Sequence, residues 1–297
     1  MGGMPTKELP ADEVAALEAE RAFVDLSDWR KVRVSGADAI GWLNDLLTAD
    51  IEGLRPGVAC RCLLLTPTGR IRADVHVARR EDDLVLLQAP DQPEHVGLVL
   101  HHYTLSSDVL LEDATGGLAL FAVPGRAAAL VGIPGTAPSA LGPGLDLLVG
   151  TGRGAWRTQD VLVNAGLAEV GPVAVEIWRV RRGRPRMGVD FDQDSLPAEV
   201  GLDAVIDTAK GCFLGQESVA RVRNLGHPPR VLRHVRTRAP VAPGDPVLSG
   251  GAVVGTVTSA APQGGEHVAL VRIRWEAAEA SLTLADGGSL DRVPSPG

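Results

Sequence analysis

Aromatic residues are scarce in this chain, with five Trp, four Phe and one Tyr among 297 residues. Proteins that grip unpaired bases do so largely by stacking them on such rings. That scarcity, with a formal charge of −8, argues against direct RNA binding even where arginines cluster. Cysteine is sparse too. Cys60, Cys62 and Cys212 are an odd number in a long chain, which argues against a disulfide scaffold. As thiolates they are one short of the four that usually hold an iron-sulfur cluster. The seven histidines show no zinc-type spacing, so no bound metal is expected. No run approaches the roughly 20 apolar residues that cross a bilayer, and no leader joins basic, apolar and small-residue segments. The expectation is a cytoplasmic protein with no membrane partner.

What is present is a core-forming composition, 45% hydrophobic, in a chain long enough for two or three domains. Met1 to about Glu20 reads as a peripheral segment ending in a short helix. Residues 21–112 read as a first α+β domain: a strand at Val32 and Val34, a helix carrying Ile40, Leu43, Leu46 and Leu47, then successive strands joined by turns at Thr66–Gly69 and Arg80–Asp83. A helix from Val173 to Arg182 returns the chain to that domain, which residues 170–226 complete. Residues 113–169 form a second, less regular α+β domain, with loops expected between Gly132 and Gly154 around a strand at Leu145–Val149. Residues 227–297, with short β-rich runs between Gly and Pro, indicate a small antiparallel barrel.

Charge is unevenly spread. Arg179 to Arg238 holds 12 Lys and Arg against 7 Asp and Glu, so an otherwise acidic protein carries one basic segment. That pattern points to a local anion site or a solvated arginine face. Within it lies Lys210-Gly211-Cys212-Phe213-Leu214-Gly215-Gln216-Glu217. Gly211 and Gly215 permit a tight loop. Lys210 beside a cysteine favours the thiolate. Gln216 and Glu217 can hydrogen-bond a heterocycle or cap the helix that follows, which would present Arg221 to the loop. A buried cysteine in a Gly-bounded turn fits the same residues. Cys60 and Cys62 share one strand face and read best as buried thiols.

The octapeptide resembles the signature of the YgfZ-like folate-binding proteins, relatives of the T-protein (aminomethyltransferase) of the glycine cleavage system. The resemblance extends from about residue 21 to 275 through GADAIGWLNDLLTADI, LLLTPTGRIRAD, WRVRRGRPRMGVDFDQDSLPAEVGLD and GDPVLSGGAVVGTVTSA. It implies a three-domain clover leaf of T-protein and YgfZ type around a channel that binds tetrahydrofolate or a derivative. It also implies a role in assembling or repairing iron-sulfur clusters of client enzymes, including tRNA-modifying ones, with Cys212 as the reactive or partner-facing thiol assisted by Lys210. The folate would then meet Gly211, Gly215, Gln216, Glu217, Arg221, Asp74, Glu176 and Arg179. A folate-dependent aminomethyl or methyl transferase is the alternative, and a non-catalytic folate sensor a third.

Two departures bear on that choice. Where the relatives carry paired aspartates after the first hairpin, this chain has Ala73 and Asp74, so one carboxylate is missing. In a strand Arg72, Asp74 and His76 share a face. Where many relatives place a glutamate in R-x-E-x-G, Arg181 stands in Arg179-Val-Arg-Arg-Gly183, and an arginine has no acceptor for a pterin. Glu176 could serve instead, while Arg179, Arg181, Arg182, Arg184 and Arg186 could hold a folate's carboxylate tail or stay solvated.

Overall fold

The structure is a computed structural model and describes residues 10–294. The beginning of the expected peripheral segment, Met1 to Leu9, lies outside it. The chain opens with α1 (Ala11–Glu18) and β1 (Ala22–Asp25). The first sheet is then built from β2 (Arg30–Ser35), α2 (Ala39–Leu46), β3 (Ala59–Leu65), β4 (Ile71–Arg79), β5 (Leu84–Gln88), α3 (Val96–His101) and β6 (Leu110–Asp113). Its strands run antiparallel in the order β3-β4-β5-β2-β6. Alternation sorts the side chains: Val75 and Val77 of β4 and Cys62 and Leu64 of β3 face one way and bury Trp42, Leu43, Val99 and Leu100 of the two helices. Each fully buried Leu or Val contributes about 1.5–3 kcal/mol.

A second sheet follows from β7 (Leu118–Pro124), α4 (Ala128–Val131), β8 (Gly144–Gly150), α5 (Arg153–Asn164) and β9 (Ala168–Val170), in the order β8-β7-β1-β9. Residues 22–25, grouped by sequence with the first domain, therefore pair in this sheet, antiparallel to β7 and parallel to β9. Every residue of β7 is buried because both faces are covered. Phe23, Phe121 and Leu147 meet α5 through Leu162. Val24, Leu120 and Ala122 meet α1 and the returning helix α6 (Pro172–Arg181). The first helix is thus not peripheral, since its Val14 and Leu17 are buried in that layer. Helix α5 had no counterpart in the sequence reading. It buries Thr158 and Leu162 and leaves Trp156, Val161 and Val163 exposed.

After α7 (Gln216–Leu225), strands β10 (Arg230–Thr237), β11 (Pro246–Ser249), β12 (Ala252–Gln263), β13 (Glu266–Arg274), β14 (Leu282–Thr283) and β15 (Ser289–Arg292) close a barrel in the order β10-β13-β12-β11-β14-β15. The expected C-terminal barrel is present. One apolar cluster joins all three units: Val85 and Leu87 of the first sheet, Ile177, Trp178 and Val180 of α6, and Ala261 and Val268 of the barrel. Helix α6 therefore runs through the junction of the molecule. Among the described residues no helix is long and apolar enough to cross a membrane.

Candidate functional site

The octapeptide is first of all a clamp. Phe213 is buried among Leu63, Leu65 and Ile71, and Leu214 packs on the other side against the α2 layer. Gly215 sits at φ +85°, and a Cβ there would lie 2.5 Å from the carbonyl oxygen of Thr66 in the β3–β4 turn. Gly211 has no such need, because a Cβ there would meet nothing within 4 Å. Lys210 does not act on Cys212 as the sequence suggested. Its ammonium donates to the carbonyls of Asn44, Leu47 and Ala49, at 2.7 Å and 2.8 Å for the last two, and so satisfies carbonyls at and beyond the C-terminus of α2. Burial lowers its pKa, and its charge falls on Cys60 and Cys62 instead. The Cys60 thiol is lowered by its neighbour Cys62, helped by Lys210, while burial pushes Cys62 well up. Cys212 is exposed at the loop surface. Glu217 and Arg221 are exposed on α7, and among the described residues no side-chain hydrogen bond reaches them or Gln216.

A second set of polar groups lies at the junction. Register places Arg61 directly opposite His76 and Leu63 opposite Asp74, so Arg61 reaches Asp74 on the diagonal. The pair is two-pronged, with Nε to Oδ1 at 2.9 Å and Nη2 to Oδ2 at 2.5 Å. His76 also pairs in register with Leu87, whose side chain belongs to the cluster around Trp178. Burial, reinforced by the Arg61 charge, lowers His76 to about 4, so the imidazole is neutral at physiological pH. Its Nδ1 is buried and has no partner. Arg72 leaves this face at a bulge and pairs with Glu94 instead. Ala73, at the missing aspartate's place, is buried in the α2 layer.

The arginine run closes the other side of this set. Helix α6 ends in a Schellman motif: the N–H of Gly183, at φ +63°, donates to Val180 O and that of Arg184 to Arg179 O. This reversal carries Arg184 back over the Trp178 ring, 5.2 Å from its centroid, with Arg182 at 4.7 Å. Among the described residues no hydrogen bond or ion pair reaches either guanidinium. Burial and repulsion from Arg182 and Arg61 lower Arg184 to about 10. Arg179, Arg181 and Arg186 are paired, Arg186 with Asp91 at 2.9 Å. Arg179 takes both carboxylate oxygens of Glu176 and binds Asp190 at 2.7 Å and Ser259 at 2.8 Å, tying α6 to the barrel. Arg181 donates to Pro262 O and Glu18, joining the barrel to α1. Glu176 is thus held in a two-pronged pair by Arg179, with Arg186 3.6 Å from it. Among the described residues no group of three His, Cys, Asp or Glu could hold a metal ion.

No hydrogen bond or ion pair among the described residues links Cys212, Gln216, Glu217 or Arg221 to Asp74, Glu176 or Arg179. Sequence reasoning missed Arg61, the burial of His76 and Trp178, and it named Arg184 only as one of five arginines that could hold a folate's carboxylate tail. The arginine run ending in Gly183 carried the signal for the last of these, because Gly at a helix C-terminus reverses the chain.

The architecture that holds these sets is that of the glycine cleavage T-proteins. The chain superposes on the crystal structure of glycine cleavage system aminomethyltransferase T from Bartonella henselae with a TM-score of 0.80, covering 97% of this chain and 90% of the other at 19% identity, which establishes a shared fold. Residues 4–131 match the family model described as the GCVT N-terminal domain. Among curated proteins, a putative chloroplastic transferase of Arabidopsis thaliana is 28% identical over 92% of this chain and 69% of its own length. The aminomethyltransferase of Streptomyces avermitilis is 28% identical over 84% of this chain and 77% of its own.

Proposed function

We propose that the protein binds a reduced folate at the junction of its three units and promotes transfer of a one-carbon group between that folate and a second substrate. The observation that carries this reading is the Asp74, Arg61, His76 and Arg184 set at the junction of a T-protein fold. Buried His76 Nδ1 has no partner and Arg184 has no counter-ion among the described residues, which fits a site made to be filled. The fit is to the acceptor-rich part of a folate. Asp74 is the carboxylate of this set for the pterin's donor edge, while Glu176 ties Arg179 at the barrel side. An ionised carboxylate has about four lone-pair sites, so Asp74 can accept a ligand N–H while Arg61 fixes its direction.

Bound tetrahydrofolate supplies a nucleophilic nitrogen that takes up or releases a one-carbon unit. This chain's own contribution is orientation. Asp74 is held by two bonds from Arg61, and His76 remains neutral, a weak base at physiological pH. Proximity, not proton abstraction by a strong base, is the means open to such a site. The test is single-turnover transfer from a methylene or methyl donor to tetrahydrofolate, with Asp74→Asn beside the wild type. Turnover lowered roughly a hundredfold or more in the variant supports the reading; absence of turnover with every one-carbon donor would sink the transfer step.

A second reading rests on Cys212, whose exposed thiol stands on a loop clamped from both sides. An accessory role toward iron-sulfur enzymes would use that thiol to meet clients. Its test is complementation of a strain lacking its own homologue by Cys212→Ala, and full rescue refutes it.

A further inference from the structure

We propose that the cleft between α7 and the barrel is a binding site for an aromatic α-amino acid. The cleft has a volume of about 600 Å³, within the roughly 300–1,000 Å³ of small-molecule sites. Its apolar surface comes from Val219 and Val222 of α7 and from Ile206, and two of these, Ile206 and Val219, belong to the cluster that anchors Phe213. His227 and Trp275 line the same cleft. Their rings stack with centroids 4.9 Å apart and planes 5° from parallel, and Trp275 remains 37% exposed. A flat ring meets such a pair by offset stacking or edge to face.

The lining also carries one carboxylate, Asp203, and one guanidinium, Arg223. Arg223 donates to the Thr208 hydroxyl at 3.2 Å. Among the described residues no ion pair reaches Arg223 or Asp203, and the two do not pair with each other. A lone anion entering the cleft would meet Asp203, and a lone cation would meet Arg223, whereas a zwitterion complements both. The guanidinium fork matches a carboxylate, and an ionised carboxylate accepts from an ammonium. A flat ring that bears both groups on one short arm is an aromatic α-amino acid. None of the lining residues belongs to the Arg61, Asp74, His76 and Arg184 set, and the inference rests on neither reading of the function.

The full chain is titrated by calorimetry with L-tryptophan and L-phenylalanine, and then with indole-3-propionate, tryptamine and L-leucine. Saturable binding of L-tryptophan or L-phenylalanine is expected, roughly tenfold or more tighter than that of either single-charge analogue or of L-leucine. Arg223→Gln should erase the preference for L-tryptophan over tryptamine, and Asp203→Asn its preference over indole-3-propionate. Both residues are exposed, so neither substitution disturbs the core. Ala204→Phe fills the cleft from an exposed position and should abolish binding. Failure of both aromatic amino acids to bind, equal affinity for the single-charge analogues or for L-leucine, or binding indifferent to Ala204→Phe overturns the proposal. Loss of binding in Asp74→Asn overturns it as well, because the ligand would then sit at the junction.

Discussion

The loop around Cys212 and the junction around Asp74 differ in how their sequence relates to their work. The loop has the recognisable motif, yet most of its residues serve the fold: Phe213 and Leu214 anchor it, Gly215 meets the β3–β4 turn, and Lys210 gathers three carbonyls at and beyond the end of α2. The junction has no motif. Its residues come from β3, β4 and the end of α6, and they retain unmet hydrogen-bonding capacity. The contiguous pattern here answers a local structural demand, whereas the junction's unmet polar groups are the basis of the proposed ligand site.

Five substitutions would break or sharpen that contrast. The largest effect is expected from Gly215→Val, which combines a left-handed backbone with overlap on Thr66 O and should destabilise the fold by about 4 kcal/mol, read from the urea midpoint. Lys210→Met leaves three carbonyls without their donor and should cost about 3 kcal/mol by the same measure. A catalytic lysine would instead show a kinetic defect with unchanged stability.

The junction responds to pH. His76 is lowered to about 4 in the folded state against 6.5 unfolded, so below pH 6.5 the unfolded chain binds the proton that the folded one refuses. Stability should therefore fall by about 3 kcal/mol between pH 6.5 and 4 from this residue, and His76→Asn should flatten that limb. Asp146 acts in the opposite sense. Burial raises it to about 7, so its cost grows as pH rises from about 4 to 7, and comparison with Asp146→Asn separates the two. The smallest change is expected for Cys212→Ala, within about 0.5 kcal/mol of the wild type, because an exposed thiol packs against little.

Much of the local order was legible in the sequence. Alternation in GRIRADVHV put Asp74 and His76 on one face, and Gly- and Pro-separated strands announced the barrel. Three kinds of information were not. The Arg61–Asp74 pair depends on the register of two strands, which no single strand displays. The partners of Lys210 lie more than 160 residues away along the chain, so its neighbour in sequence, Cys212, was a misleading guide. Helix α5 hid because its exposed face carries Trp156, Val161 and Val163.

The most direct test of the account is the affinity of the anaerobic protein for tetrahydrofolate in the wild type, Asp74→Asn and Cys212→Ala, measured by calorimetry. The account predicts saturable binding that Asp74→Asn weakens roughly tenfold or more and Cys212→Ala leaves unchanged. Binding indifferent to Asp74 and abolished with Cys212 would contradict it, and would return the functional centre to the loop.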